Sequence, residues 1–488
     1  MLEAAELHQA ITKEQYEAVL PGLREQLLDA QARLREAGFS VVVLVNGADG
    51  AGKSETVNAL HEWLDARYIV TESYAEPTEE ERARPEYWRY WMWLPRAGRI
   101  AIYSGSWYTK PILKQVWSKA SEAQLREDIV RINNFERTLS DGGTVFVKLW
   151  FHVSKKAQRK RLRALERSKA TRFRVTKQDW KNHDRYADFL HTTEQVLSRT
   201  STGFAPWQII DAEDDRYRNI TAARMLLDAL QARLAQPAST PPAARLPATD
   251  DPQTLLDRLD LSKSLDKDAY EQRLGDAQAN LNRLLRRMQK RGRSAIFVFE
   301  GPDAAGKGGA IRRITWALDA RSYRVIPISA PTDEERAHHY LWRFWRYLPK
   351  RGRLTIFDRS WYGRVLVERV EGFATQGEWQ RAYEEINDFE RELTDGGVIL
   401  VKFWLHIDSE EQLRRFDERK NDPTKRYKIT EEDYRNREQQ HQYEAAAAEM
   451  IMRCSPPTAP FVLVEANDKR YARVKVLESV CSALSDQL

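Results

Sequence analysis

Two short apolar runs, VVVLV at 41–45 and AIFVF at 295–299, each follow a stretch of helical periodicity, at 23–37 and at 270–290. Each run leads into a glycine-rich turn and then a second helical pattern. The order that follows is clearest in the later half. A short strand is predicted around Arg324–Ile328, then a helix rich in Trp and Arg. Next come a strand at 354–357, a long helix ending near Thr394, a buried strand ILVKFWLHI at 399–407, a charged helical region and a last strand FVLVE at 461–465. Continuous apolar strands of this length, alternating with helices, predict a parallel sheet covered on both faces.

The two halves are one pattern written twice. Gly47 and Gly301, Lys53 and Lys307, Trp107 and Trp361, and Lys148 and Lys402 are each separated by 254 residues. Longer echoes keep the same offset: LDAR at 64–67 and 318–321, PTEEER at 77–82 and PTDEER at 331–336, FERTLSDGG at 135–143 and FERELTDGG at 389–397. A shared frame this long is a duplicated domain rather than a solenoid repeat. The proline-rich stretch between the halves, with Pro237, Pro241, Pro242, Pro247 and Pro252, reads as a semi-extended linker. The expected organisation is a first domain over 1–234, a linker over 235–256 and a second domain over 257–488.

Bulk composition narrows the class. A chain of 488 residues is long enough for two cores. Two cysteines, Cys454 and Cys481, make neither a disulfide framework nor a metal-site spacing. The N-terminus is acidic and lacks a signal-peptide core, and no run is apolar enough for a membrane span, so a cytoplasmic protein without a membrane partner is expected. The net charge of +6 permits an anionic partner without naming one.

The candidate chemistry lies in the turns. GPDAAGKG at 301–308 follows a strand and opens a helix, the context in which backbone N–H groups and a helix N-terminus cradle phosphate. Gly301, Ala304, Ala305, Gly306 and Gly308 form this loop, and Lys307 is expected to reach the phosphate being transferred. The hydroxyl that usually follows the lysine is replaced by Gly308, whereas the first copy, GADGAGKS at 47–54, keeps Ser54. The later copy nevertheless has the fuller set. TIFDRSWYGR at 355–364 places Asp358 and Arg359 at a strand end, where AIYSGSWYTK at 101–110 has Ser104 and Gly105. Asp303 and Asp358 together can hold a metal that needs hard oxygen ligands, and Arg359 adds a fixed cation for phosphoryl charge. NDPTKRYK at 421–428 reads as a basic lid with Lys425, Arg426 and Lys428; the first copy has Thr171 where Lys425 stands.

GPDAAGKGG, PTDEER, DRSWYGR and DPTKRYK, in this order, resemble the polyphosphate kinase 2 family, and two fused copies with only the second intact resemble its two-domain branch. The resemblance implies two tandem three-layer α/β/α domains of the thymidylate-kinase-like P-loop kind, with parallel sheets and helical lids. It also implies Mg²⁺ as cofactor, and inorganic polyphosphate and AMP as partners, with ADP as product. Asp303, Lys307, Asp358 and Arg359 match the family's catalytic positions, and Arg364, Lys425, Arg426 and Lys428 its basic lining and lid. On this basis Lys402 is expected to grip the polymer and Arg321 to hold the nucleotide phosphate. No nucleic acid is expected as partner, and self-association is left open. Two other readings stay open: an ATP-dependent nucleotide kinase of the same fold, and a nucleic-acid-binding protein using the basic aromatic helix WRFWRYLPKRGR at 342–353. That helix has a nearly equal twin at 88–99, which favours packing.

Overall fold

The structure is a computed structural model that describes Leu2 and residues 5–118, 120–236, 253–424, 435 and 437–488. It divides into two compact units. One comprises 1–77, 89–239 and 333–339, the other 78–88, 240–332 and 340–488.

The first unit is built on strands β1 (Ser40–Gly47), β2 (Ile69–Ser73), β3 (Ile100–Ser104), β4 (Thr144–His152) and β5 (Trp207–Asp211). The second unit has β6 (Ser294–Glu300), β7 (Tyr323–Pro327), β8 (Leu354–Asp358), β9 (Val398–His406) and β10 (Phe461–Glu465). Each sheet is fully parallel, ordered β2-β3-β1-β4-β5 and, in the same sense, β7-β8-β6-β9-β10. The two apolar runs are thus the central strands, buried along their length. Helices cover the sheet, so these strands carry no polar face.

The core of the second unit shows the consequence. Phe297, Phe299, Ile356, Phe403 and Leu405 have no exposed surface, and Phe299 stacks on Phe403 at 5.0 Å. Each such side chain contributes roughly 2–3 kcal/mol of burial. The helix before the strand, Lys267–Lys290, starts with Asp266 accepting from the Ala269 N–H and buries Leu281, Leu284, Leu285 and Met288 on one side. The aromatic helix is a packing element: Trp342, Phe344 and Trp345 are buried, and Phe344 and Phe357 sit edge-on to Trp361.

In each sheet the chain order reverses across the central strand. β6 has β8 on one side and β9 on the other, so its C-terminal end opens a crevice where an α/β sheet binds ligands. Among the described residues, no helix is long and apolar enough to cross a membrane.

Candidate active site

The phosphate loop leaves β6 at that crevice. Gly301 passes so close to β9 that a Cβ would stand 2.3 Å from the Leu405 carbonyl oxygen, and its φ of +141° suits glycine alone. Gly306, at φ +107°, caps the helix Lys307–Trp316. The loop is held from behind. Arg415 donates to the Ala304 carbonyl at 2.8 Å and to the Ala466 and Asn467 carbonyls, while Gln412 donates to the Asp303 carbonyl at 3.1 Å. Arg161 and Gln158 frame the first unit's loop the same way.

Lys307 bends back over this loop. Its ammonium donates to the Gly301 and Pro302 carbonyls at 2.6 and 3.0 Å. Burial, reinforced by the neighbouring Arg359 cation, shifts it below the ordinary lysine range. Asp358 ends β8 in register with Phe299, which brings it beside the start of the loop. Arg359 follows and donates from Nη2 to Asp303 at 2.6 Å. The structure therefore gathers Asp303, Lys307, Asp358 and Arg359 at one strand edge.

Two backbone observations set this edge apart. Ala304 and Arg359 have φ of +66° and +64°, a left-handed conformation that non-glycine residues rarely hold. Their twins are Gly50 and Gly105, at φ +75° and +76°. The backbone is the same in both units, but only the second retains side chains that strain it, at about 1 kcal/mol or more each.

One member of the site escaped the sequence reading. Glu300, the last residue of β6, is buried and accepts from the Ser360 hydroxyl at 2.7 Å. Burial pushes its carboxyl up to about 7, against the pull of the Ser360 hydrogen bond and of the Lys307 and Arg359 cations. Its twin is Asn46, which donates to Ser106 at 3.0 Å. The 254-residue offset that exposed Ser104 and Gly105 also separates Glu300 from Asn46, so the signal was available.

Two cavities flank the loop. One, about 810 Å³, is lined by Ala304, Ala305, Gly306, Lys307 and Gly308 and by Arg312, Arg313, Arg419, Lys469 and Arg473. Of the six cations just named, only Lys307 was singled out from sequence. At the offset the other five become Asn58, Ala59, Leu165, Asp215 and Asn219, so this groove's cations are second-unit features. The other cavity, about 120 Å³, is lined by the apolar Leu366, Val367, Trp404 and Ile407 and by Glu300, Asp303 and Arg359.

One expectation is corrected. Lys402 does not reach the groove: it is fully buried and donates to Glu390 at 2.6 Å, to the Tyr362 hydroxyl at 3.0 Å and to the Cys454 carbonyl at 2.6 Å. Trp361 donates to the same Glu390 carboxylate at 3.0 Å, as does Tyr362. Lys148, Glu136, Tyr108 and Trp107 repeat this network in the first unit. That network explains why Ser-Trp-Tyr persists in both halves while the chemistry beside it does not. Arg321 is largely exposed and held by Asp319 through Nε and Nη2, as Arg67 is by Asp65, and it lines neither cavity. Arg364 pairs with Glu368 at 2.8 Å and lies over the Tyr340 ring, likewise outside both cavities. Lys425, Arg426 and Lys428 lie outside the described residues.

A metal has a plausible donor set here. Among the described residues no cluster of three or more His, Cys, Asp or Glu could hold an ion by itself. Asp303 and Asp358 offer hard oxygens beside a phosphate loop. That suits Mg²⁺, which commonly takes one or two carboxylates and fills its remaining positions with phosphate oxygens and water.

A parallel sheet whose central strand runs into a lysine-bearing phosphate loop, with carboxylates and an arginine at the neighbouring strand end, defines a P-loop phosphotransferase-type site. The description "Polyphosphate kinase 2 (PPK2)" matches residues 10–238 and again 264–488. The chain belongs to the polyphosphate kinase 2 family, with one family domain in each half. It is 50% identical over 488 residues to a polyphosphate:AMP phosphotransferase of Pseudomonas aeruginosa, covering 99% of this chain and 98% of that protein. A polyphosphate:AMP phosphotransferase of Acinetobacter johnsonii is 38% identical, with 91% of each chain covered. The crystal structure described as a polyphosphate kinase 2 from Pseudomonas aeruginosa PA01 superposes with a TM-score of 0.91 at 49% identity, covering 100% of this chain and 99% of that one.

Proposed function

We propose that the second unit transfers the terminal phosphoryl group of inorganic polyphosphate to AMP, giving ADP. The observation that carries this reading is the asymmetry of the twins: the second unit has Asp303, Lys307, Asp358 and Arg359 beside a groove of five further cations, and the first has lost most of them. The names borne by full-length relatives support the choice of donor and acceptor.

Polyphosphate carries charge along its length and no base, which suits a long groove lined by Arg312, Arg313, Arg419, Lys469 and Arg473. The apolar cavity on the other side of the loop suits the nucleoside of AMP. The indole N–H of Trp404, which lines it, has no partner among the described residues. The acceptor phosphate is largely dianionic at neutral pH, its second pKa being roughly 6, so no strong general base is needed. Bringing two polyanions together is the main cost, and fixed cations reduce it. Lys307 and Arg359 neutralise the group in flight. Mg²⁺, held by Asp303 and Asp358, would supply further neutralisation of the phosphate oxygens. Arg359, released from Asp303 on binding, turns to the transferring group. With AMP as acceptor, the reaction belongs in the cytoplasm.

The test is a donor panel with a paired knockout. Polyphosphate with AMP and Mg²⁺ gives ADP, and ATP in place of polyphosphate gives far less. Lys307→Ala abolishes turnover, and Lys53→Ala leaves it intact. Equal turnover with ATP, or equal loss in both variants, would overturn the reading.

A further inference from the structure

The apolar cavity of the second unit has a counterpart in the first. About 200 Å³ in volume, it is larger than its twin and lies against the first unit's phosphate loop. Many lining positions are equivalent at the offset: Asn46, Asp49, Gly105, Ile112, Trp150 and Phe189 replace Glu300, Asp303, Arg359, Leu366, Trp404 and Tyr443. The position has thus been kept while its chemistry has changed.

The donor side of the first unit is closed. Arg218, buried and 254 residues before the small Ala472, packs its guanidinium against Gly52, where a Cβ would lie 2.0 Å from Nη1. It also donates to Thr56 at 2.9 Å. The equivalent Gly306 meets no side-chain atom closer than 3.8 Å. Glu55 and Asp215 stand where the second unit has Gly309 and Lys469, adding negative charge where a polyanion would lie.

The acceptor side is open and nearly neutral. Glu300 and Arg359 have become Asn46 and Gly105, and Tyr443 has become Phe189. The charges that remain on the lining are Asp49 and Lys53, which offset each other. Lys53 is satisfied by the Gly47 and Ala48 carbonyls, both at 2.9 Å, and Asp49 accepts from Asn182 at 2.8 Å. A nucleotide phosphate would meet Asp49 with no second cation to balance it. Trp150 and Phe189 lie 6.0 Å apart at the apolar wall, with Trp117 also lining the cavity. Trp150 is 3% exposed, and its indole N–H has no partner among the described residues.

We propose that the first unit binds an uncharged purine nucleoside in this cavity, as a non-catalytic site that prefers the nucleoside to its phosphate. The choice of a purine rests on the reading that the twin cavity takes the nucleoside of AMP. The ring packs against the aromatic wall of Trp117, Trp150 and Phe189.

The test uses the full chain with the second unit's acceptor site filled by saturating AMP. Adenosine is then titrated by calorimetry, with tryptophan fluorescence in parallel. One equivalent binds. Gly105→Arg places a charged side chain in the cavity and weakens binding by more than tenfold, with the rate of ADP formation unchanged. Trp150→Phe, which trims the aromatic wall, weakens it several-fold. Thermal melts confirm that both variants are folded. No adenosine binding at millimolar nucleoside, or binding untouched by both variants, overturns the proposal. Failure of the enzyme to make ADP from polyphosphate overturns the function reading instead, and the adenosine titration reads out independently of it.

Discussion

Glu300→Gln tests whether the buried carboxyl is held at a cost to stability. The glutamine keeps a partner for Ser360, as Asn46 does for Ser106 at 3.0 Å, and removes the ionisation. The folded carboxyl titrates at about 7 against an ordinary value of 4.5. Below pH 4.5 it is protonated in both folded and unfolded chains, so its contribution is fully present. As pH rises from there the unfolded chain ionises first, and stability drains away until the folded pKa is passed. Above pH 7 the loss is complete. A gap of 2.5 pH units at 1.36 kcal/mol each makes it about 3 kcal/mol. The variant is therefore more stable than the parent at pH 8 by about that amount, and the difference shrinks towards zero at pH 4.5. Urea unfolding of the second unit at several pH values, followed by near-UV signal, measures it. A difference independent of pH would refute the reasoning, because then packing and not ionisation distinguishes the two side chains.

Arg359→Gly imposes the first unit's residue on the second. It relieves a left-handed φ of +64° worth about 1–2 kcal/mol while losing a half-exposed ion pair worth at most about 1. Stability in a melt should hold steady or rise while ADP formation falls by roughly 10³-fold or more. Lys402→Met and Lys148→Met each strand a buried glutamate and should destabilise their own unit by about 3–5 kcal/mol in denaturant unfolding. Neither should raise KM for polyphosphate selectively in the folded fraction. Arg473→Asn and Arg312→Asn should raise KM for polyphosphate several-fold, more steeply at low salt, with KM for AMP little changed.

Much of the fold was legible because it depends on local pattern. VVVLV and AIFVF are continuous apolar runs, and such runs between helices have one stable arrangement, the interior of a parallel sheet. The loop was legible for the same reason, since strand, glycines, lysine and helix are contiguous. Lys402 was misread because its partners are not contiguous. A lysine within a strand looks like a ligand-binding cation until Glu390 and Tyr362 arrive from elsewhere in the chain. Arg321 is paired with Asp319, two residues away. The groove arginines lie far apart in sequence, from Arg312 to Arg473, and converge only when the sheet is assembled. A position-by-position comparison of the halves, extended beyond the motifs, would have found them as charges present in one copy and absent in the other.

The paired left-handed residues bear on how such a chain evolves. At those two backbone positions a step from alanine or arginine to glycine is downhill in backbone energy. The return path is uphill at both sites before any benefit is felt. A laboratory attempt to build the second half's residues into the first would therefore have to supply stabilising substitutions first.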